Sequence, residues 1–151
     1  MMLKHLAVAL TFIGYTVCSQ SADFSFTDTR GEMQTLAQYH GKWVLLNLWA
    51  TWCAPCLKEM PELEALNLAR KDLAVVGLAV DGSDARRVML FAEKLHVTYP
   101  IVAGTMASVK QFNPRGFPTS ILYDPTGRQA FLKEGAITKG EIEAQMALGK
   151  P

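Results

Sequence analysis

Cys53 and Cys56, in the segment Trp52-Cys53-Ala54-Pro55-Cys56, are the side chains of this chain best suited to chemistry. Two thiols at this spacing could exchange electrons with another disulfide, fasten the chain as a crosslink, or supply half of a zinc site. A crosslink gains most by closing a long loop, and this one would close almost none. Zinc would need two more ligands, and beyond the first residues the chain offers only His40 and His96, far apart, with no second cysteine pair. Exchange is the better fit. An apolar run leads straight into Cys53, so a strand would deliver its sulfur to the start of a helix, near unpaired backbone N–H groups and the positive end of the helix dipole. That placement favours thiolate and draws a thiol pKa from ~8.5 into the range of about 3.5 to 7.5. Cys53 is therefore the expected attacking nucleophile and Cys56, one turn on, the expected resolving thiol. Pro55 suits the first turn, where no backbone donor is needed, and stiffens the loop between the sulfurs.

The elements that must position this pair are legible on either side. Trp43 to Trp49 is nearly all apolar, as expected for a strand covered on both faces. From Cys56 to about Arg70, Leu57, Met60, Leu63, Leu66 and Leu68 recur at roughly helical spacing, with Lys58, Glu59, Glu62 and Glu64 largely between them and Pro61 expected to kink the helix. Leu73 to Val80 is a second buried-strand run, closed by Asp81-Gly82. Ser83 or Asp84 then caps a helix carrying Val88, Phe91, Ala92 and Leu95. Further on come a strand signal at Tyr99 to Val102, a short helix around Ala107 to Phe112, and a strand from Thr119 to Tyr123. The turn Asp124-Pro125-Thr126-Gly127 leads to an antiparallel partner over Arg128 to Lys133. Thr138 with Glu141 forms a capping box that opens a final helix through Leu148. Phe24 and Phe26 mark a short strand before a turn at Asp28 to Gly31. The alternation of strands and helices indicates an α/β layer structure with parallel strands.

With 151 residues, half of them hydrophobic, the chain suits a single domain. Fifteen Lys and Arg against fourteen Asp and Glu leave a net charge of +1 with no basic block, which argues against nucleic acid as a partner. Residues 1–22 have the layout of a signal peptide or N-terminal anchor: Lys4 and His5, an apolar run from Leu6 to Val17, then Ser19, Gln20, Ser21 and Ala22. Cleavage is placed near Ser21 or Ala22, leaving residues 23–151 as the mature domain. Twelve helical residues would reach roughly 18 Å, short of the ~30 Å hydrocarbon core. Lipidation at Cys18 is a third reading, set against Val17 where a small residue is expected.

The run Gly41-Lys42-Trp43-Val44-Leu45-Leu46-Asn47-Leu48-Trp49-Ala50-Thr51-Trp52-Cys53-Ala54-Pro55-Cys56, continued by Leu57-Lys58-Glu59-Met60-Pro61, resembles the active-site segment of TlpA/ResA-type thioredoxin-like proteins. Val75 to Asp81 and Gly116-Phe117-Pro118-Thr119 extend the similarity. The resemblance implies a thioredoxin-like three-layer α/β fold, a central mixed sheet flanked by helices, with an extra strand and helix, supplied by Leu73 to Leu95, before a cis-proline. That proline is Pro118, facing the cysteines. Phe117, Thr119, Trp52, Ala54 and Pro55 would form the surface that receives a partner chain. Asn47 takes the place where many cytosolic thioredoxins have a buried aspartate, and an amide cannot transfer the proton. Glu59 resembles the family glutamate near the cysteine pair, set to raise a thiol pKa or exchange protons with Cys56, against the plainer reading of a solvated helix charge.

The resemblance further implies an extracytoplasmic, monomeric protein-disulfide reductase with a redox-active Cys53–Cys56 disulfide and neither cofactor nor metal. Its substrates would be protein thiols and disulfides, such as apocytochrome c cysteine pairs, and its reductant a membrane thiol-electron transporter. Two other readings compete. A Cu(I)-binding thiol chaperone would use soft thiolates, with Met60 and Met89 nearby in type but better read as core filler. A peroxiredoxin-like peroxidase would use a single peroxide-reactive cysteine in a different loop context.

Overall fold

The computed structural model describes residues 23–149, so the readings of residues 1–22 and of Cys18 lie outside the described residues. In chain order the elements are β1 (Ser25–Thr27), β2 (Met33–Thr35), β3 (Trp43–Trp49), α1 (Ala54–Ala69), β4 (Leu73–Ala79), α2 (Ala85–Lys94), β5 (Ile101–Ala103), α3 (Met106–Val109), β6 (Thr119–Tyr123), β7 (Gln129–Glu134) and α4 (Lys139–Leu148). Five strands make one sheet in the order β5-β4-β3-β6-β7, flanked by helices, and β1 pairs with β2 in a separate antiparallel ladder. β3, β4 and β5 run parallel; β6 and β7 return antiparallel. The mixed sheet agrees with the thioredoxin-like expectation.

β3 forms because its seven residues offer apolar surface to both faces, and all seven are buried between β4 and β6. α1 lays Met60, Leu63 and Leu66 against that sheet, each fully buried. Each such side chain contributes about 1.5–3 kcal/mol by leaving water. The helix runs on through Pro61, which is exposed. Leu68 departs from its expected place on the apolar stripe and is 68% exposed. Glu59 and Glu64 depart the other way: both are buried, because polar atoms from distant elements meet them. Glu64 accepts from the Thr98 hydroxyl and from the Tyr99 N–H at 3.3 Å.

The stretch from Leu73 to Leu95 supplies β4 and α2, and β4 lies inside the sheet, paired with β3 along its whole length. Asp84 is the cap that α2 uses; its Oδ1 accepts from the Arg87 N–H at 3.1 Å. Between β4 and α2, Gly82 passes so close to β5 that a Cβ there would lie 2.5 Å from the Ala103 carbonyl carbon. Only glycine permits that approach, and it brings the residues after β4 under the end of β3. The capping box of Thr138 and Glu141 opens α4 as expected. β7 begins at Gln129, one residue later than the sequence suggests, where the β6–β7 register shifts between Leu122 and Tyr123. Among the described residues no helix is long and apolar enough to cross a membrane.

Candidate active site

The site grows from the junction of β3 and α1. Cys53 is the N-cap of α1, and its Sγ accepts from the Cys56 N–H at 3.3 Å while its carbonyl accepts from the Leu57 N–H at 3.1 Å. The sulfur thus takes the place usually held by a capping oxygen, beside the otherwise unpaired donors of the first turn. Cys53 and Cys56 are joined in a disulfide with their Cα atoms 5.3 Å apart. Cys53 is 4% exposed and Cys56 fully buried, so the first sulfur is the one nearer the surface. Ala54 and Pro55 are exposed beside it, and Trp52 is 64% exposed.

β6 supplies the opposite wall. Its register pairs Thr119 with Leu48, which sets Pro118 level with the last residue of β3. The Phe117–Pro118 peptide is cis. Phe117 meets Trp52 edge to face, ring centroids 6.1 Å apart at 77°, an arrangement that the ring quadrupoles favour. Trp52, Ala54, Pro55 and Phe117 therefore share one surface with the disulfide. Thr119 does not join them: it is fully buried, and its hydroxyl donates to the Gly116 carbonyl at 2.7 Å, so its side chain shapes the loop instead of meeting a partner.

Beneath the disulfide, Glu59 and Asn47 form a buried pair. Asn47 Nδ2 donates to Glu59 Oε1 at 2.8 Å and to Ser120 Oγ at 3.1 Å, and the Ile137 N–H donates to Glu59 Oε2 at 2.8 Å. The reading of Glu59 as a solvated helix charge is thereby corrected, since the side chain points inward and both oxygens have donors. Burial raises the Glu59 carboxyl above the ordinary range; the Ile137 and Asn47 donors pull it part of the way back. A folded-state pKa above the unfolded one gives stability that is complete below the unfolded value of about 4.3 and is lost as pH rises through the raised one. Glu59→Gln is accordingly expected to flatten the fall in urea midpoint that the unaltered protein shows between about pH 4 and about pH 8.

Among the described residues no group of three or more His, Cys, Asp or Glu converges as a metal site requires. The described site also contains residues that the sequence reading left aside. Thr51, Asp81 and Arg87 are linked by hydrogen bonds just behind Cys53. They lie 30 and 36 residues apart, and only the pairing of β4 with β3, which brings the ends of both strands together, would have pointed to them.

A disulfide capping a helix beside a cis-proline is arranged for two-electron exchange with other thiols, and on this sheet it makes the protein a thioredoxin-like thiol-disulfide oxidoreductase. The comparisons with known proteins agree. The chain belongs to the AhpC/TSA family, whose model matches residues 17–130, and within it to the ResA-type thiol-disulfide oxidoreductases. It is 36% identical to the thiol-disulfide oxidoreductase ResA of Geobacillus kaustophilus over 97% of this chain and 92% of that protein. It is 34% identical to the thioredoxin-like protein YneN of Bacillus subtilis, over 90% and 82%. Among solved structures it resembles a thioredoxin-family thiol:disulfide interchange protein from Chlorobium tepidum, with TM-score 0.73 and 25% identity over 83% of this chain and 92% of the other. StoA from Bacillus subtilis gives 0.70 and 25% over 83% and 96%.

Proposed function

We propose that this protein works outside the cytoplasm as a reductase of protein disulfides, with Cys53 as nucleophile and Cys56 as resolving thiol. The observation that carries the reducing direction is the buried Glu59 carboxylate one helical turn past Cys56. A negative charge held in the protein beside the dithiol disfavours thiolate, and a couple whose reduced form is not stabilised is the stronger reductant.

In the reduced protein the Cys53 thiolate attacks one sulfur of a client disulfide. The client S–S bond breaks, a mixed disulfide forms, and the leaving client sulfur takes up a proton. Cys56 then gives up its proton, with Glu59 as the acceptor, and attacks the Cys53 sulfur. The client leaves with two thiols and the Cys53–Cys56 disulfide remains, two electrons having passed to the client. Cis-Pro118 and Phe117 receive the extended client chain beside Trp52, Ala54 and Pro55. Residues 1–22 export or anchor the protein, a membrane thiol-electron transporter restores the dithiol, and cysteine pairs of apocytochrome c are clients of the right kind. The protein acts as a monomer. Both sulfurs are committed to each other at the helix start, which favours exchange over a single-cysteine peroxidase.

Trapping tests the proposal. Cys56→Ala, expressed in the source cell, is expected to accumulate mixed disulfides between Cys53 and exported proteins with paired cysteines, identified by mass spectrometry after thiol-dependent release. An exported, folded variant that forms no such adducts would overturn it.

A further inference from the structure

Thr51, two residues ahead of Cys53, is buried and gripped from two sides. Its N–H donates to both oxygens of the Asp81 carboxylate at 3.2 Å, and its hydroxyl donates to Asp81 Oδ2 at 2.6 Å. The same hydroxyl accepts from Arg87 Nη2 at 3.0 Å. Asp81 is itself fixed: the Val80 N–H donates to the Trp49 carbonyl at 2.9 Å, the Gly82 N–H donates to the Gly104 carbonyl at 2.7 Å, and Asp81 bridges to Thr105. From this anchor the chain turns directly to the reactive sulfur, the Cys53 N–H donating to the Ala50 carbonyl at 3.1 Å. Arg87 is exposed on α2 and forms no ion pair among the described residues.

We propose that Arg87 is a positioning residue for the exchange reaction: held on the Thr51 hydroxyl against the Asp81 carboxylate, its guanidinium fixes the Ala50–Cys53 turn and favours the thiolate of Cys53. The assignment rests on the reading of Cys53 as the attacking sulfur. The titratable and charged groups on the elements that meet at the disulfide are Cys56, Lys58, Glu59, Glu62 and Glu64 of α1, Asp81 beyond β4, Asp84 at the cap of α2, Arg86, Arg87, Glu93 and Lys94 of α2, and Arg115 in the loop before Phe117. Asp81 and Arg87 are the two joined by hydrogen bonds to the turn that carries Cys53. Two residues span at most about 7 Å, which leaves the guanidinium on the order of 10 Å from the sulfur. Near a surface in physiological salt, one charge at that range moves a thiol by roughly half a pK unit.

The test uses the full chain carrying Cys56→Ala, with alkylation of Cys53 followed against pH by mass spectrometry of its peptide. Arg87→Gln is expected to raise the Cys53 midpoint by about half a unit, and Arg87→Lys to restore most of it. Asp81→Asn, which keeps an acceptor for Thr51 but removes the charge, is expected to lower the midpoint. Opposite signs are the mark of charge, because a turn that merely loosens would move both variants the same way. Unchanged midpoints, or shifts of the same sign, overturn the assignment. A Cys53→Ser protein that still reduces disulfides would overturn the reading beneath it instead, so the two failures are told apart.

Discussion

Cys53→Ser is expected to slow the single-turnover reduction of a protein disulfide by about 10³-fold or more, the scale on which removal of a nucleophile acts. A serine hydroxyl neither ionises near neutral pH nor forms the S–S bond on which the first step depends. Cys56 would be left as the sole thiol of the pair, and it is fully buried within the first turn of α1. It meets a client only when that turn opens. Cys56→Ala behaves differently, since Cys53 keeps its place at the helix start and the first step proceeds, but turnover halts at the mixed disulfide. Rapid-mixing measurements on the reduced proteins separate the two: no early adduct for Cys53→Ser, a full early adduct without product release for Cys56→Ala. If Cys53→Ser kept more than roughly a tenth of the rate, the assignment of roles within the pair would be reversed or wrong.

The parts of the molecule that were legible in the sequence are those whose signals are local. β3 shows its bounds because both its faces are covered, so apolar residues run without a break from Trp43 to Trp49, Asn47 excepted. α1 shows its start because Cys53 and Pro55 suit a cap and a first turn, and α4 because Thr138 and Glu141 satisfy each other's backbone. β2 left no such trace: three residues, Met33–Thr35, with only Gln34 buried, gain their pairing from β1 and not from their own pattern. The inner polar groups were hidden for a related reason. Spacing on a helix identifies a face by residue type, so Glu64 read as one of the charges between the apolar positions, and Glu59 stood apart only through the family resemblance. Their burial depends on donors 12 to 78 residues away, at Asn47, Thr98, Tyr99 and Ile137. Thr51, Asp81 and Arg87 likewise acquire meaning only when β4 is laid beside β3.

The charges around the dithiol are arranged by depth. Glu59 lies inside, where burial raises its carboxyl above the ordinary range. Arg87 lies outside, next to the turn that carries the sulfur nearer the surface. A negative group near the resolving sulfur and a positive group near the attacking one push the two thiols apart in ionisation, which is what a sequential attack and resolution requires. The low exposure of the disulfide strengthens the inner effect relative to the outer, because water screens Arg87 and not Glu59.

Asn47→Asp should expose this inner balance most sharply. Asn47 is fully buried and its amide donates at 2.8 Å to Glu59 Oε1, so aspartate replaces a donor with an acceptor and sets two carboxyls face to face. At low pH the pair can share one proton and rebuild the hydrogen bond. As pH rises that proton must leave, and the second charge then has no solvent and only the Ser120 hydroxyl to meet it. The folded-state pKa of the pair is raised above the unfolded values, so stability is retained in acid and lost toward alkaline pH. By about pH 8 the loss is expected to reach roughly 3–5 kcal/mol, the cost of an uncompensated buried charge, against little change near about pH 5. Urea midpoints at the two pH values check this. A loss equal at both would mean that shape, not charge, sets the cost, and no loss at either would mean that Asn47 and Glu59 do not hold their contact in solution. The same variant restores, at the position of Asn47, the acid that many cytosolic thioredoxins use, but beside a carboxyl already in place. In the unaltered protein the Asn47 amide and the Ile137 N–H both meet one inner carboxyl, and a second carboxyl would have the Ser120 hydroxyl alone.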